Sequence, residues 1–263
     1  MAFVRLIGEG ISYSASPQMQ VAAFAALGLD HRYELADVTA TELAAAVAGL
    51  RRDGALGANV TVPHKAAVMP LLDDVDELAA RASAVNTIVA RDGRLAGSNT
   101  DIPALVDELR GLGPRRRAVV LGAGGAARAV GLALAEVGVS EVRLASRSGA
   151  DGAERWERLP DLLATADLLV NATPVGTGTD ETPVPQSLLH GGLAVLDLVY
   201  RPSPTRLVRE ARACGAPARG GACVLLGQGW RSLETWLGIP VGEAVRSAMA
   251  DALRAELGSD ADV

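Results

Sequence analysis

Apolar positions along this chain fall into two rhythms. Short runs of strand length occur at residues 4–7, 31–35, 57–62, 84–90, 118–121, 141–145, 168–171 and 193–198. Between them lie longer stretches with apolar residues at helical spacing, at 18–27, 41–52, 76–82, 102–112, 207–214, 228–237 and 241–257. A further helix is expected after residue 122, reaching about Glu136, and a helix-like segment over 65–72. Residues 220–226 are mixed. Strands alternating with helices predict an α/β protein. The run Ala118-Val119-Val120-Leu121 carries no polar position, as a parallel strand covered on both faces requires. Gly111, Gly113 and Pro114 interrupt the pattern just before it, and Arg91-Asp92-Gly93-Arg94 reads as a hairpin turn.

Polar residues gather where strands end. Asn59-Val60-Thr61-Val62-Pro63-His64-Lys65 puts a lysine just past such an end. Pro63 has no N–H for a sheet ladder and keeps Val62 extended. Beside Asn59 and Thr61, Lys65 has the setting of a catalytic group; a solvated lysine at a helix start is the plain alternative. Asn86-Thr87 opens one strand, and Asn99-Thr100-Asp101 closes another. Nearer the start, Ile11-Ser12-Tyr13-Ser14-Ala15-Ser16-Pro17 is dense in hydroxyls and leads into a helix with Pro17 in its first turn. Ser14 and Ser16, with the helix amides, suit a small carboxylate or phosphate. Ser16 reads equally as a simple N-cap.

The strand at 118–121 runs into Gly122-Ala123-Gly124-Gly125-Ala126-Ala127-Arg128, then a helix, then the strand at 141–145. In that strand–loop–helix–strand setting the glycines form a dinucleotide-binding fingerprint. Gly122 makes the turn, Gly124 lets backbone approach a pyrophosphate, and Ala127 allows close helix–sheet packing. A purely structural turn is the alternative. The next strand tip, Ala145-Ser146-Arg147-Ser148, lacks the carboxylate that would bind the ribose 2′-hydroxyl of NAD. Arg147, Ser146 and Ser148 suit the 2′-phosphate of NADP instead, if Arg147 is more than an exposed arginine. Asp151 follows closely and would weaken that preference.

Composition sets the outer bounds. A chain of 263 residues, 49% of them hydrophobic, is long enough for two domains with real cores. A formal net charge of −6 argues against nucleic acid and anionic membrane surfaces as partners. The apolar runs stop well short of a membrane span. Cys214 and Cys223 make neither a disulfide framework nor a metal-ligand spacing. A cytoplasmic, soluble protein with a small-molecule substrate and no metal is the expectation.

Taken together, these motifs resemble the shikimate dehydrogenase family. The segments that carry the resemblance are Ser14-Ala15-Ser16-Pro17, the stretch from Asn59 to Lys65, Ala84-Val85-Asn86-Thr87, Asn99-Thr100-Asp101, the glycine loop, Asn171-Ala172-Thr173-Pro174, Asp197-Leu198-Val199-Tyr200 and Gln228. Their order and spacing span nearly the whole chain. The resemblance implies an α/β substrate domain at residues 1–102, completed by C-terminal helices at 222–263. A doubly wound Rossmann domain for NADP would be inserted at 103–221, with the active site in the cleft between. It implies reversible reduction of 3-dehydroshikimate to shikimate, a step toward chorismate and the aromatic amino acids.

Residue by residue, the resemblance makes Lys65 and Asp101 the catalytic pair. Ser14, Ser16 and Thr61 become the carboxylate site, and Asn59, Asn86, Tyr200 and Gln228 contacts to the ring or to its junction with the cofactor. Gly122, Ala123, Gly124, Gly125, Ala126 and Ala127, the tip Ser146, Arg147 and Ser148, and Thr173, Pro174, Val199 and Gly221 would hold NADP rather than NAD. Four places depart from the family pattern: Tyr13 for a histidine, Ile102-Pro103 for a glycine, Gly220-Gly221 for Asp-Gly, and Cys223-Val224 for Gly-Met. A quinate or aminoshikimate dehydrogenase using NAD or NADP is the near rival, and a ligand sensor without turnover the distant one. The assembly is expected to be a monomer or homodimer.

Overall fold

The computed structural model describes residues 1–52, 54–149 and 152–263. Asp151 lies outside them. The chain forms two compact units. One holds Met1–Asp101 and Leu226–Glu256, the other Ile102–Leu225 and Leu257–Val263. In chain order the first part contributes β1 (Phe3–Gly8), α1 (Ser16–Ala26), β2 (Arg32–Asp37), α2 (Leu43–Ala48), β3 (Ala55–Val60), β4 (Asp74–Val75), α3 (Glu77–Ala82), β5 (Thr87–Arg91) and β6 (Arg94–Ser98). There follow α4 (Asp101–Gly111), β7 (Arg117–Leu121), α5 (Gly125–Glu136), β8 (Glu141–Ser146), β9 (Glu154–Arg155), α6 (Leu159–Leu163), β10 (Leu168–Asn171), β11 (Ala194–Asp197), α7 (Arg206–Ala213), β12 (Ala218–Arg219), α8 (Gly221–Leu237) and α9 (Glu243–Leu257).

Among the described residues, the first unit contains a mixed six-stranded sheet in the order β2-β1-β3-β5-β6-β4. The strands β1, β2 and β3 are parallel, so the chain leaves all three at one edge. Strand β5 runs antiparallel to β3, and β6 returns antiparallel to β5 through a turn at Asp92 and Gly93, both at positive φ. Ile7, Val47, Leu50, Val60, Val68, Ile88 and Leu95 fill the core against this sheet. At the β3–β5 seam, Gly57 pairs with Val89 at φ +151°, and a Cβ there would fall 1.9 Å from the carbonyl oxygen of Ile88. That same oxygen accepts the indole N–H of Trp236 at 3.0 Å, which pins α8 to the sheet.

The second unit has six parallel strands among the described residues, in the order β12-β11-β10-β7-β8-β9. Read from β9, this is the doubly wound order of dinucleotide-binding folds, and the chain reverses its direction of growth between β7 and β10. Every residue of β10 and β11 is buried, which accounts for their unbroken apolar runs before Asn171 and Asp197. Asp197 is 1% exposed and accepts from Thr205 Oγ1 at 2.7 Å, Val199 N at 3.0 Å and Asn171 Nδ2 at 2.8 Å. Burial outweighs these three donors and pushes its carboxyl up to about 6.

Several local expectations need correction. Strand β3 ends at Val60, and Val62 is 68% exposed. The segment expected to be helix-like at 65–72 is a series of turns, with a 3₁₀ turn at Met69–Leu71. Pro70 has no N–H to return to the carbonyl of Ala66, so an α-helix cannot propagate through it. Ser16 is the first helical residue of α1 rather than its cap; Ala15 takes the cap position without a side-chain bond. Residues 221–226 are not mixed but form the start of α8. The short strand β9 had no apolar signature to announce it.

Two measurements test this packing. Gly57→Ala is expected to cost about 3 kcal/mol or more in unfolding free energy, because backbone rather than a mobile side chain blocks the new methyl. Urea unfolding with an unchanged midpoint would mean that β3 and β5 can part without loss. For Asp197, the unfolded carboxyl titrates near 3.8 and the folded one near 6, so the folded chain holds the proton more tightly. Its contribution to stability is therefore highest below about pH 4, falls as pH rises to about 6, and is flat above. The full span is on the order of 3 kcal/mol. Wild type should gain stability relative to Asp197→Asn on acidification, and parallel pH curves for the two proteins would refute the assignment.

Candidate active site

In the first unit, three segments of backbone bring their polar side chains to one carboxylate. The turn after β3 carries Lys65, whose carbonyl accepts from Val85 N at 2.8 Å just before β5. Asn86 N donates to Ser98 O at 3.1 Å, joining the start of β5 to the end of β6. Asn99 then accepts from the N–H of Asp101 at 3.0 Å and donates to Ala84 O at 2.9 Å, steering the chain from β6 into α4. Asp101 consequently stands in the first turn of α4, facing the lysine.

The carboxylate of Asp101 uses its two oxygens differently. Oδ2 accepts from Lys65 Nζ at 2.7 Å, and Oδ1 accepts from Asn86 Nδ2 at 2.8 Å. The Lys65 and Asp101 side chains are 31% and 21% exposed, so the ammonium is held by charge but still reachable by a ligand. Asn86 is buried and its amide has one permitted orientation. Its Oδ1 faces the backbone N–H of Thr100 at 2.8 Å, which can only donate, while its Nδ2 faces the carboxylate, which can only accept.

The other expected substrate residues of this unit fall into two groups. Ser14, Ser16 and Thr61 share the edge where β1 and β3 end. Thr61 N donates to Ile7 O, Glu9 N to Val62 O and Ser14 N to Ile11 O, so the hydroxyl-rich loop runs beside Thr61. Ser14 Oγ accepts from Ser16 N at 3.2 Å. Asn59, in contrast, is buried with its amide committed to the protein: Oδ1 takes the hydroxyl of Tyr33 at 2.8 Å, and Nδ2 reaches Asn86 O, Thr87 Oγ1 and Ser232 Oγ. Gln228 lies on α8, also buried.

The second unit gathers its own loops at the carboxyl edge of its sheet. Gly122 has φ +110°, and a Cβ there would approach Ala172 O within 3.1 Å; the loops after β7 and β10 touch through backbone. Gly124 caps α5 in an extended conformation, and no atom lies within 4 Å of where its Cβ would be. Ala123, Gly125 and Ala126 line the same entrance to α5, while Ala127 is buried beneath it. The amides of that first turn suit a pyrophosphate. Asn171 Oδ1 accepts from Thr173 N at 3.1 Å and Thr173 Oγ1 at 2.6 Å, setting the turn that carries Pro174. Val199 is buried next to Asp197, Tyr200 follows it, and Gly221 N donates to Val199 O at 3.2 Å.

The tip of β8 collects the hydroxyls and the arginine expected to face the added phosphate of NADP. Ser146 Oγ accepts from Gly149 N at 3.1 Å, and Arg147 and Ser148 are exposed. A second arginine, unrecognised in the sequence, stands there too. Strand β9 pairs Arg155 with Ser146, and the Arg155 side chain lies where a Cβ on Gly149 would come within 2.9 Å. Only the pairing of a two-residue strand puts it there, so no motif announced it. Cys223 has no comparable role: burial first, then Glu108 and Asp262, push its thiol up to about 12. Among the described residues no cluster is placed to hold a metal ion, and no helix is long and apolar enough to cross a membrane.

Known proteins resemble the chain both in sequence and in fold. Residues 6–88 match the family model of the shikimate dehydrogenase substrate binding domain. Shikimate dehydrogenase (NADP(+)) of Natronomonas pharaonis is 43% identical, over 93% of this chain and 98% of its own. The protein of the same name from Rubrobacter xylanophilus is 44% identical over 95% of each. The crystal structure of shikimate 5-dehydrogenase from Thermus thermophilus, in complex with NADP(H) and shikimate, superposes with a TM-score of 0.87. It is 37% identical and covers 98% of this chain and 100% of that one. At this identity and coverage, the chain belongs to the shikimate dehydrogenase family.

Proposed function

We propose that this protein catalyses the NADP-dependent, reversible reduction of 3-dehydroshikimate to shikimate. The observation that carries the reading is the Lys65 ammonium, held at 2.7 Å by a carboxylate whose other oxygen is itself fixed by Asn86. NADP, when bound, supplies and takes back the hydride. The chain's own residues do the rest. As the ketone carbon is reduced, negative charge grows on its oxygen, and Lys65 Nζ delivers the proton that neutralises it. In the oxidation direction the same amine removes the hydroxyl proton as the hydride leaves. Asp101 keeps the amine aimed and balances its charge, and the ammonium stabilises alkoxide character before the proton moves.

Ser14, Ser16 and Thr61 present hydroxyls at the neighbouring strand ends and hold the substrate carboxylate. Gln228 and Tyr200 contact the ring hydroxyls, while Asn86, whose amide is taken up by Asp101, Thr100 and Thr87, and Asn59 act from behind them. Gly122 to Ala127, with Thr173, Pro174, Val199 and Gly221, receive the dinucleotide, and Ser146, Arg147, Ser148 and Arg155 receive its 2′-phosphate. The same reading places the enzyme in the cytoplasm, as a monomer or homodimer.

An initial-rate comparison of shikimate and quinate, each with NADP and with NAD, tests the substrate and cofactor together. Shikimate with NADP should dominate; faster turnover of quinate, or with NAD, would overturn the reading. Lys65→Ala should lower kcat about a thousandfold with KM for shikimate changed only a few fold, as expected for a group acting in the transition state. Arg147→Ala should raise KM for NADP about tenfold and leave KM for NAD alone. Equal effects on the two cofactors would remove Arg147 from the phosphate site.

A further inference from the structure

Behind the catalytic carboxylate lies a sealed set of polar side chains, three of which, Ser232, Thr87 and Thr100, serve none of the roles above. Ser232, on α8, is fully buried, as is Thr87; Asn59, Asn86 and Thr100 are at most 5% exposed. Ser232 Oγ lies 3.0 Å from Asn59 Nδ2, 2.8 Å from Thr87 Oγ1, 3.1 Å from Thr100 Oγ1 and 3.0 Å from the carbonyl oxygen of Gln228. Thr87 Oγ1 lies 3.0 Å, and Thr100 Oγ1 3.2 Å, from Asn86 Oδ1. Five polar side chains thus meet where water has no access, and each hydrogen needs an acceptor.

Following the hydrogens fixes their direction. Tyr33 donates to Asn59 Oδ1, so Asn59 Nδ2 faces inward and donates to Ser232. One Asn86 Nδ2 hydrogen goes to Asp101; the other goes to Thr100 Oγ1 at 2.9 Å. Thr100 therefore serves Asn86 as an acceptor and must place its own hydrogen elsewhere. Thr87 takes Asn86 Oδ1, which leaves Ser232 Oγ as the nearest acceptor for Thr100. Ser232 completes the chain by donating to Gln228 O. A hydroxyl has one hydrogen to give and room for two to receive: Ser232 receives from Asn59 and Thr100, and its one hydrogen is shared between Gln228 O and Thr87 Oγ1, 2.8 Å away.

We infer that Ser232 is a positioning residue for the catalytic pair, acting through Thr100 and Asn86 to hold Asp101, and so Lys65, in place. Without the Ser232 hydroxyl, the Thr100 hydrogen turns toward Asn86 Oδ1. Asn86 Nδ2 then loses the acceptor that stops its amide from rotating, and Asp101 Oδ1 loses a fixed donor. The same bond ties the backbone of Gln228 to this chain, so α8 carries a ring contact and the support of the proton-transfer site on one rigid element. The inference deepens the proposed reaction and rests on it for its kinetic arm.

Ser232→Ala keeps a helix-favouring residue on α8 and removes only the hydroxyl. It should lower the single-turnover rate of shikimate oxidation about tenfold, with KM for shikimate within about twofold. Ser232→Thr, which restores a hydroxyl, should recover most of the rate, whereas the near-isosteric Ser232→Cys should not. Thr100→Val should cost about the same, and the double variant Ser232→Ala/Thr100→Val no more than either alone. A rate kept within twofold in Ser232→Ala, or losses that multiply in the double variant, would overturn the inference.

A second readout needs no turnover. In nitrogen-15-labelled protein the Asn86 side-chain NH₂ pair, assigned by its absence in Asn86→Ser, should exchange slowly in wild type and faster in Ser232→Ala. Should wild type turn over neither substrate, the proposed reaction falls. The exchange rates then decide alone, and identical rates in the two proteins reject the role of Ser232.

Discussion

Asp101 cannot hold Lys65 unless something holds Asp101. A carboxylate that is only 21% exposed has lost much of its water, and both of its oxygens need donors. One donor is the lysine, which must stay mobile enough to meet a substrate. The other must be immobile, and a buried amide with a single permitted orientation meets that demand. The architecture of the first unit serves this requirement. The ends of β3 and β6 and the start of β5 meet at one place, and the Asn99 side chain turns the chain so that Asp101 enters α4 facing them. The arrangement is preorganised, so little of its polar geometry has to be built as the reaction proceeds.

The second unit uses the same device for a different end. Asn171 places its Nδ2 on the buried carboxyl of Asp197, and the amide oxygen is thereby aimed at Thr173. In the first unit an oriented amide fixes the carboxylate that holds Lys65; in the second it fixes a turn of backbone at the sheet's carboxyl edge. The cost also differs. Asp101 has a cation opposite it, whereas the three donors on Asp197 are neutral, and its carboxyl is accordingly pushed up by burial.

The fold was legible where apolar periodicity was long, and the site was legible where a motif sat at a strand end. Lys65 could be singled out because Pro63 marks the point where a ladder stops, whereas Asn86 and Asp101, also at strand ends, took their expected roles from the family resemblance. Other features depended on contacts distant in sequence. Nothing local in α8 distinguishes Ser232 from an exposed serine; its meaning comes from Asn59, Thr87 and Thr100, which lie far back along the chain. Arg155 gained its place through a strand too short to show any period. The segment 65–72, expected to be helix-like, forms turns because Pro70 interrupts its few apolar residues at helical spacing. Asn59 shows the reverse case, where a polar residue at the right strand end is used by the protein itself.

The departures from the family pattern can be judged by the same accounting of donors and acceptors. Pro103 replaces a residue in the first turn of α4, where an N–H has no intrahelical partner to lose. The N–H that matters there belongs to Asp101, and Asn99 accepts it. Cys223 keeps its proton and donates it to Asp262 O, so it adds no charge to the start of α8. Tyr13 is exposed on the hydroxyl-rich loop, beside Ser14 but outside the buried polar set. The hydrogen bonds that aim Lys65 pass through none of these positions. These positions can therefore change without touching the hydrogen bonds behind Asn86 that aim the Lys65–Asp101 pair.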